Sequence, residues 1–516
     1  MATLASIDRW DIEADVVILG FGLAGAVAAI EAHDTDPEAD ILIIEKNPEH
    51  KVGGNSRVAG QALSLPRDRE SLLVYQRALN EPNPVPEELL AVWADAMIEQ
   101  QSWIERMANE VGMALEASPR GPEFADMPGS QTMGDGYTIV PRPSGVWNCF
   151  KAHVDRRTIR SLFDTRAVDL IQDPDSREVF GVLATRHAQQ LAIRARRALV
   201  MCVGGFEGDL EMNLNYCGQE LYPLGNPANT GDGIRMLQRA GAELWHMRNR
   251  NQSSGIWPAM KFPEYAAAFF RNPWMTSTSW IEIARDNRRF YDEGASLEPL
   301  HYRIKVHDQW VDAPHASVLP VHMIFDEQTR LGDCLSVDNM SWNILVEGYR
   351  WSPDNTAEIE RGWITRANTI HQLATKIGRD PDALHATIER YNHHARSGHD
   401  PDYGRAAERM TPIEHPPFYA AQIVPGLVCS TGGAKRDTRS RVLDTNGHPI
   451  PRLYEAGELG STIANLYQNG SFLTECMVFG RIAGRHAVTE SSLTPPRHPQ
   501  PDAQGIHQPA IRSTAQ

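Results

Sequence analysis

Glycines at positions 20, 22 and 25 in Gly20-Phe21-Gly22-Leu23-Ala24-Gly25, an acid at Glu45 with Lys46 beside it, and the run Gly53-Gly54-Asn55-Ser56 are the residues of this chain whose types and spacing first point to chemistry. A Gly-x-Gly-x-x-Gly turn lets backbone approach a pyrophosphate and lets a helix pack closely on a strand. N–H groups at the start of that helix suit phosphate oxygens. A carboxylate about 20 residues further on can accept from a ribose hydroxyl. Together these residues specify a dinucleotide site.

Such a site needs a strand, a helix and a second strand in that order. The apolar run 15–19 reads as a buried strand feeding the glycine turn. Residues 23–33 read as an Ala-rich helix, and 40–44 as a second strand ending at Glu45. Three later stretches have the texture of the same site. An apolar strand, 198–206, runs into Gly204-Gly205; the sequence NPANTGDG spans 226–233; and a strand at 453–456 meets a glycine turn before a helix at 472–487. Between them, residues 246–410 are rich in Trp, Arg and His and lack such turns, as expected of a second domain inserted into the first. The Pro-rich hinge 411–420 marks the return.

With 516 residues, 41% hydrophobic and 22% charged, the chain can bury a large core and divide into domains. A net charge of -16 argues against nucleic acid or an anionic membrane as the main partner. The six cysteines show no metal-ligand or haem-attachment spacing, as expected of reduced thiols in a cytoplasmic protein. No signal peptide or membrane span is read, and residues 491–516 read as a disordered tail. His246, His307, His315 and His322 have no ligand spacing, so no metal is expected.

These stretches, from about residue 15 to 490 and in order, resemble the flavoprotein family of fumarate reductase, succinate dehydrogenase and 3-ketosteroid dehydrogenase. The resemblance implies an α/β fold, a Rossmann-like FAD-binding domain with an inserted α+β cap domain. It divides the chain into 1–245 and 411–490 for FAD and 246–410 for the cap. It implies that Gly20, Gly22, Leu23, Ala24 and Gly25 meet the pyrophosphate, with Glu45 and Lys46 at the adenosine ribose. Gly53, Gly54, Asn55, Ser56, Gly60 and Gln61 would lie beside phosphate and flavin, and Ala167, Val168, Gly204, Gly205, Asn229, Thr230 and Asp232 near the cofactor. Glu458 would bind ribityl or ribose hydroxyls, and Ser471 to Leu473 would aim a helix N-terminus at the flavin. The succinate dehydrogenase branch attaches FAD through a histidine near the paired glycines. Here that segment is Gly53-Gly54-Asn55-Ser56, so non-covalent FAD is implied and His50 reads as a surface residue.

The family moves a hydride between a substrate carbon and flavin N5, beside a carbonyl or carboxylate. The chain departs from its better-understood branches. The fumarate reductase arginine four residues after the Glu of an RF-x-N-E segment falls on Leu297, after Arg289-Phe290-Tyr291-Asp292-Glu293. The tyrosine of 3-ketosteroid dehydrogenases is absent there, Cys429 stands for a histidine, and Gln468 for an arginine. Small dicarboxylates are therefore poor substrate candidates.

The pattern from Phe290 to Arg303 resembles tricarballylate dehydrogenase-like proteins and selects Tyr302 as donor or acid/base. His301 and Arg303 would set its ionisation, a neighbouring cation lowering the tyrosine pKa. Tyr467 and Gln468 lie between two cofactor elements and could wall the pocket or donate to a carbonyl. Glu282 and Arg285 read as a solvated ion pair or weaker site candidates, and Trp257, Tyr265, Phe269, Phe270, Trp274, Trp280 and Trp310 as core or pocket wall. A small-molecule substrate and an external electron donor or acceptor are expected. Two other readings stay open: a flavin oxidase using oxygen, and a catalytically degenerate flavoprotein acting as a binding protein.

Overall fold

In the computed structural model the described residues are 2–118, 121–252, 259–262, 264–294, 301–312 and 319–492. The expected tail, Trp257, His315 and Leu297 lie outside them. The apolar runs form the parallel centre of a nine-stranded sheet, ordered Arg160–Leu162, Ile41–Ile44, Ile12–Leu19, Gln189–Met201 and Pro449–Glu455. One row of this sheet reads Leu42, Val17, Leu199, Leu453, and all four side chains enter the core on one face. The next row, Ile43, Ile18, Val200, Tyr454, enters the core on the other. Burial on both faces is why these strands are continuously apolar rather than alternating.

Gln189–Met201 outruns its parallel neighbours, and its first half turns antiparallel against Val179–Arg186, which pairs with Thr165–Gln172. On one face of the sheet the helix Leu23–Thr35 lies against the last helix, Ser471–Thr489. Small residues permit this: a Cβ on Gly484 would lie 2.2 Å from the Ala28 carbonyl oxygen, and one on Gly480 2.9 Å from that of Ala24.

The last helix also carries a buried charge. Arg436, fully enclosed, donates to Glu455 at 2.9 Å and to Glu475 at 2.5 Å, both carboxylates being buried as well. Burial pushes the Glu455 carboxyl up to about 8 against the pull of Arg436, so one positive charge faces two acids that are not both ionised at neutral pH. Glu475 also accepts from Ser461 Oγ, Thr462 N and Thr462 Oγ1, which ties the helix to the loop preceding it.

A second sheet, antiparallel and four-stranded, has the order Trp280–Ile283, Val321–Asp326, Phe418–Ile423, Ile364–Ala367. The helices Ile370–Lys376 and Pro381–Ser397 cover one face. Phe262, Phe269, Trp280, Trp351 and Trp363 fill the other, with Tyr265 packed alongside. Tyr265, Phe269 and Trp280 are thus core, Phe270 belongs to a neighbouring cluster, and Trp274 is exposed. Glu282 is not in a solvated pair with Arg285: it is fully buried, 3.0 Å from Arg271 and accepting from the Tyr291 hydroxyl at 2.6 Å. A two-stranded hairpin, Arg303–Val306 and Gln309–Asp312, reaches back to the segment around residue 124. There Trp310 meets Phe124 edge-on at 5.1 Å and Lys305 pairs with Asp126 at 2.7 Å.

Two substitutions test these packing claims. Gly484→Val is expected to destabilise the protein by about 1–3 kcal/mol through overpacking, read as a lower thermal midpoint. Arg436→Met, which leaves two buried acids without their cation, is expected to cost about 3–5 kcal/mol; an unchanged midpoint would show that neither acid needs it.

Candidate functional site

The parallel strands end at a cavity lined by polar and apolar residues, as ligand and cofactor sites are. Its wall includes Gly20, Gly22, Leu23, Ala24, Glu45, Lys46, Gly54, Asn55, Ser56, Ala167, Gly204, Asn229, Asp232 and Glu458. The four separated stretches of sequence therefore meet around a single space. Asn226, Thr165, Cys202, Val203, Met236, Gly457 and Cys476 also line it. Asn226 stood inside the NPANTGDG motif, Cys202 and Val203 in the stretch running into Gly204-Gly205, and Gly457 in the glycine turn after the strand at 453–456, so these four were legible; Thr165, Met236 and Cys476 sit on a strand and two helices without a motif of their own.

Gly25, Gly53, Gly60, Gln61, Val168, Gly205, Ser471 and Leu473 are not in this wall. Gly25 serves the turn itself, since a Cβ there would stand 2.1 Å from the Gly20 carbonyl oxygen. Gln61 is structural: its amide nitrogen donates to Ser56 O and Ala59 O, and its oxygen accepts from Val146 N. Ser471 opens the last helix behind Gly470, a residue in left-handed conformation that supplies no side-chain cap.

At one end of the cavity Glu45 is buried and accepts from Phe21 N at 2.9 Å and Asn47 N at 2.8 Å. Burial pushes its carboxyl up, and those two N–H donors oppose it. It thus pins the glycine turn while one face remains open to the cavity. Beside it Lys46 donates to Thr230 Oγ1 at 3.2 Å and to Asp232 Oδ2 at 3.0 Å, and Arg166 holds the other oxygen of Asp232 at 2.6 Å. Burial alone would raise Asp232; the two cations outweigh it and keep it a carboxylate.

At the other end Glu458 faces Asn55 Nδ2, 3.1 Å from both carboxylate oxygens. Burial pushes Glu458 well up, and the charge of Glu207 pushes it further. Glu207, not foreseen from sequence, is fully buried, accepts from Ser430 Oγ at 3.1 Å, and leaves its second oxygen without a partner.

Close to Glu458 lie Cys429, Ile463, Tyr467 and Phe472, packed together. Tyr467 stacks on Phe472 at 5.2 Å and receives the edge of His301, also at 5.2 Å. Its oxygen accepts from Gly470 N at 3.3 Å, and among the described residues nothing takes its proton. Burial pushes its pKa well up, so the hydroxyl stays protonated. Gln468 was expected to donate to a carbonyl. Its oxygen accepts from the Tyr75 hydroxyl at 2.8 Å and Glu123 N at 3.0 Å, holding the loop, while its Nε2, the donor, reaches Asn469 O at 3.4 Å.

The expected depression of Tyr302 is reversed. The ring lies between the guanidinium groups of Arg250 at 3.8 Å and Arg303 at 4.3 Å, yet burial outweighs both cations and its pKa rises. Its hydroxyl donates to Asn249 Oδ1 at 3.0 Å and accepts from Arg303 Nη2 at 2.7 Å. Arg303 further bonds Asp312 and Asn465, each at 2.6 Å.

A group of His394, Asp400 and Asp402 lies elsewhere, with Asp400 held by Arg289 and Asp402 by Arg390. Both carboxylates are thereby neutralised by arginine.

Comparison with known proteins gives the family. A family model described as an FAD binding domain matches residues 15–251 and 282–472. The NADH:fumarate oxidoreductase of Klebsiella pneumoniae (strain 342) is 27% identical over 92% of this chain and 47% of its own length, so this chain spans about half of that relative. The 3-oxosteroid 1-dehydrogenase of Mycobacterium tuberculosis (strain ATCC 25618 / H37Rv) is 28% identical over 73% of this chain and 69% of its own. Among solved structures, the 3-ketosteroid delta1-dehydrogenase of Sterolibacterium denitrificans, in complex with 1,4-androstadiene-3,17-dione, aligns with a TM-score of 0.73 at 21% identity, over 92% of this chain and 99% of that one.

The cavity fits FAD on its own terms. A Cβ on Gly22 would meet nothing of the protein nearer than 3.7 Å, so the protein's own packing does not demand glycine there; close approach of a ligand does. The helix behind it begins at that glycine, which has no side chain to cap it; Leu23 N donates to Ser56 Oγ at 3.1 Å, and the first-turn N–H groups after it suit phosphate. Glu45→Ala is expected to weaken flavin retention about tenfold or more, read as visible absorbance surviving gel filtration. Full retention would remove Glu45 from the cofactor's binding set. The chain belongs to the FAD-binding flavoprotein family of fumarate reductases and 3-oxosteroid dehydrogenases, FAD-dependent oxidoreductases that act on carbon–carbon bonds.

Proposed function

We propose that this protein forms or saturates a carbon–carbon double bond next to a carbonyl or carboxylate, a hydride passing between the substrate carbon and N5 of non-covalently bound FAD. Tyr467 is the observation that carries this reading. It is a buried hydroxyl that feels the charge of Glu458, a residue of the cavity wall; it is kept protonated, and among the described residues nothing takes its proton. A carbonyl oxygen placed there would receive that proton in a hydrogen bond as negative charge develops on it. The Gly470 N–H supports the phenol oxygen from behind, while Phe472 and His301 fix the ring. Tyr302 and Arg303 serve the same wall at one remove, by holding Asn249 and Asn465.

The substrate is not a small dicarboxylate. Arg303 already holds Asp312 and His301 already faces Glu123, so these cations are not free to grip two substrate carboxylates. Residues 246–410 are assigned to closing over the cavity, with 1–245 and 411–490 forming the FAD-binding part. An external donor or acceptor restores the flavin. A cytoplasmic site is favoured by the six cysteines, all free. No helix among the described residues is long and apolar enough to cross a membrane.

Tyr467→Phe is expected to retain full flavin content and to lower turnover about 100-fold. The assay is anaerobic reoxidation of photoreduced enzyme by a panel of enones and enoates, and anaerobic bleaching by the corresponding saturated compounds. Turnover equal to wild type would remove Tyr467 from the reaction.

A further inference from the structure

Glu123 had no motif to announce it. It comes from the segment between the strands Ala114–Ser118 and Met133–Val140, far in sequence from the residues it touches. Its Oε2 accepts from Asn469 N at 2.6 Å and lies 3.3 Å from His301 Nε2. Its own N–H donates to Gln468 Oε1 at 3.0 Å. One residue therefore grips both positions that follow Tyr467 and the histidine whose edge meets the Tyr467 ring.

His301 is held on both nitrogens. Nδ1 stands 2.7 Å from the Gln252 carbonyl oxygen, which can only accept, and Nε2 faces a carboxylate. Two acceptors call for two N–H donors, the imidazolium form. Its side chain is 6% exposed and that of Glu123 13%, so the pair is nearly closed from water. His301 also sits at φ 54, a left-handed conformation that persists where surrounding contacts enforce it.

Resting on the reading of Tyr467 as donor, we infer that Glu123 is a positioning residue that acts through His301 and the Gln468-Asn469 backbone to hold the Tyr467 ring and hydroxyl in their direction. Without the Glu123 carboxylate the turn would lose its Asn469 anchor and the ring would lose its charged backing.

The sign of the electrostatic effect follows from the surroundings. Burial opposes protonation of His301, and the Glu123 charge overcomes it, leaving the pKa raised. Among the described residues the other titratable or charged groups around His301 are Tyr467, Tyr302, Arg303 with Asp312, Arg250 across the Tyr302 ring, Tyr75 across Gln468, Cys429 behind Tyr467, and Glu458, whose charge reaches Tyr467. Burial pushes Tyr75, Tyr302, Tyr467 and Cys429 upward, away from neutrality. The histidine is thus the group of this set whose ordinary range lies nearest neutrality, and the Glu123 charge raises it from there. Removing the carboxylate while burial remains must lower its pKa.

The test uses holoenzyme carrying 15N-histidine and 3-fluorotyrosine, with His301→Asn and Tyr467→Phe assigning the two signals. In Glu123→Gln the His301 titration is expected to move down by about one pH unit or more, and the Tyr467 fluorine signal to shift and broaden, with flavin content unchanged. Glu123→Asp keeps the charge and is expected to restore most of the His301 shift, and it serves as the test if the Gln variant does not fold. A His301 titration and a fluorine signal identical to wild type in the variant would overturn the inference. Both readouts are independent of turnover, so they are distinguishable from failure of the Tyr467 reading, which shows as undiminished turnover in Tyr467→Phe.

Discussion

The last helix can serve the cofactor cavity only because two glycines let it lie against the backbone of the first helix. Gly480 and Gly484 face carbonyl oxygens of Ala24 and Ala28 with no room for a Cβ. That contact sets the separation between the glycine turn, where phosphates would sit, and the loop carrying Tyr467. A larger residue on either helix would widen the sheet's covering layer and carry the two ends of the cavity apart. The row of apolar residues across the parallel strands supplies the flat base on which this pair of helices rests.

The loop 461–470 shows how irregular backbone survives burial. It has almost no regular structure, yet nearly all of it is enclosed. Its polar groups are satisfied one by one. Glu475 takes Ser461 and Thr462, and Asn80 takes the Ala464 N–H and gives to the Thr462 carbonyl. Leu466 N reaches Leu79 O, and Tyr75 and Glu123 take Gln468 and Asn469. Each bond is modest, but leaving any of these groups unpaired in a closed site would cost about 1–3 kcal/mol. The result is an irregular loop as fixed as a helix.

The fold and the cofactor cavity were legible because glycine, strand and acid obey local rules. Gly20, Gly25 and Glu45 occupy positions that a turn and a ribose site demand, and the structure brings fourteen of the expected cofactor residues into one wall. The reacting end was less legible, for reasons that lie in packing. Tyr302 has two cations beside it, and sequence alone suggests that they lower its pKa; complete enclosure decides the sign the other way. Glu282 and Arg285 look paired by spacing, but the strand ends at Ile283: Glu282 is buried against Arg271, and Arg285 stands on the exposed turn beyond it. Glu207 and Glu123 matter through partners more than 170 residues away, and no local pattern marks such a position.

The sequence separation of those partners bears on how the protein is made. The strand Pro449–Glu455 completes the parallel sheet and Ser471–Thr489 seals one core, while the loop between them is tied to residues 75–83, 123 and 249. A chain still emerging from the ribosome has its glycine turn and first strands, but an open sheet edge and an unsealed apolar face until residues 449–489 have emerged. Closure of the cofactor cavity therefore waits for residues 449–489, and until they have emerged the nascent chain carries uncovered the apolar surfaces that chaperones recognise.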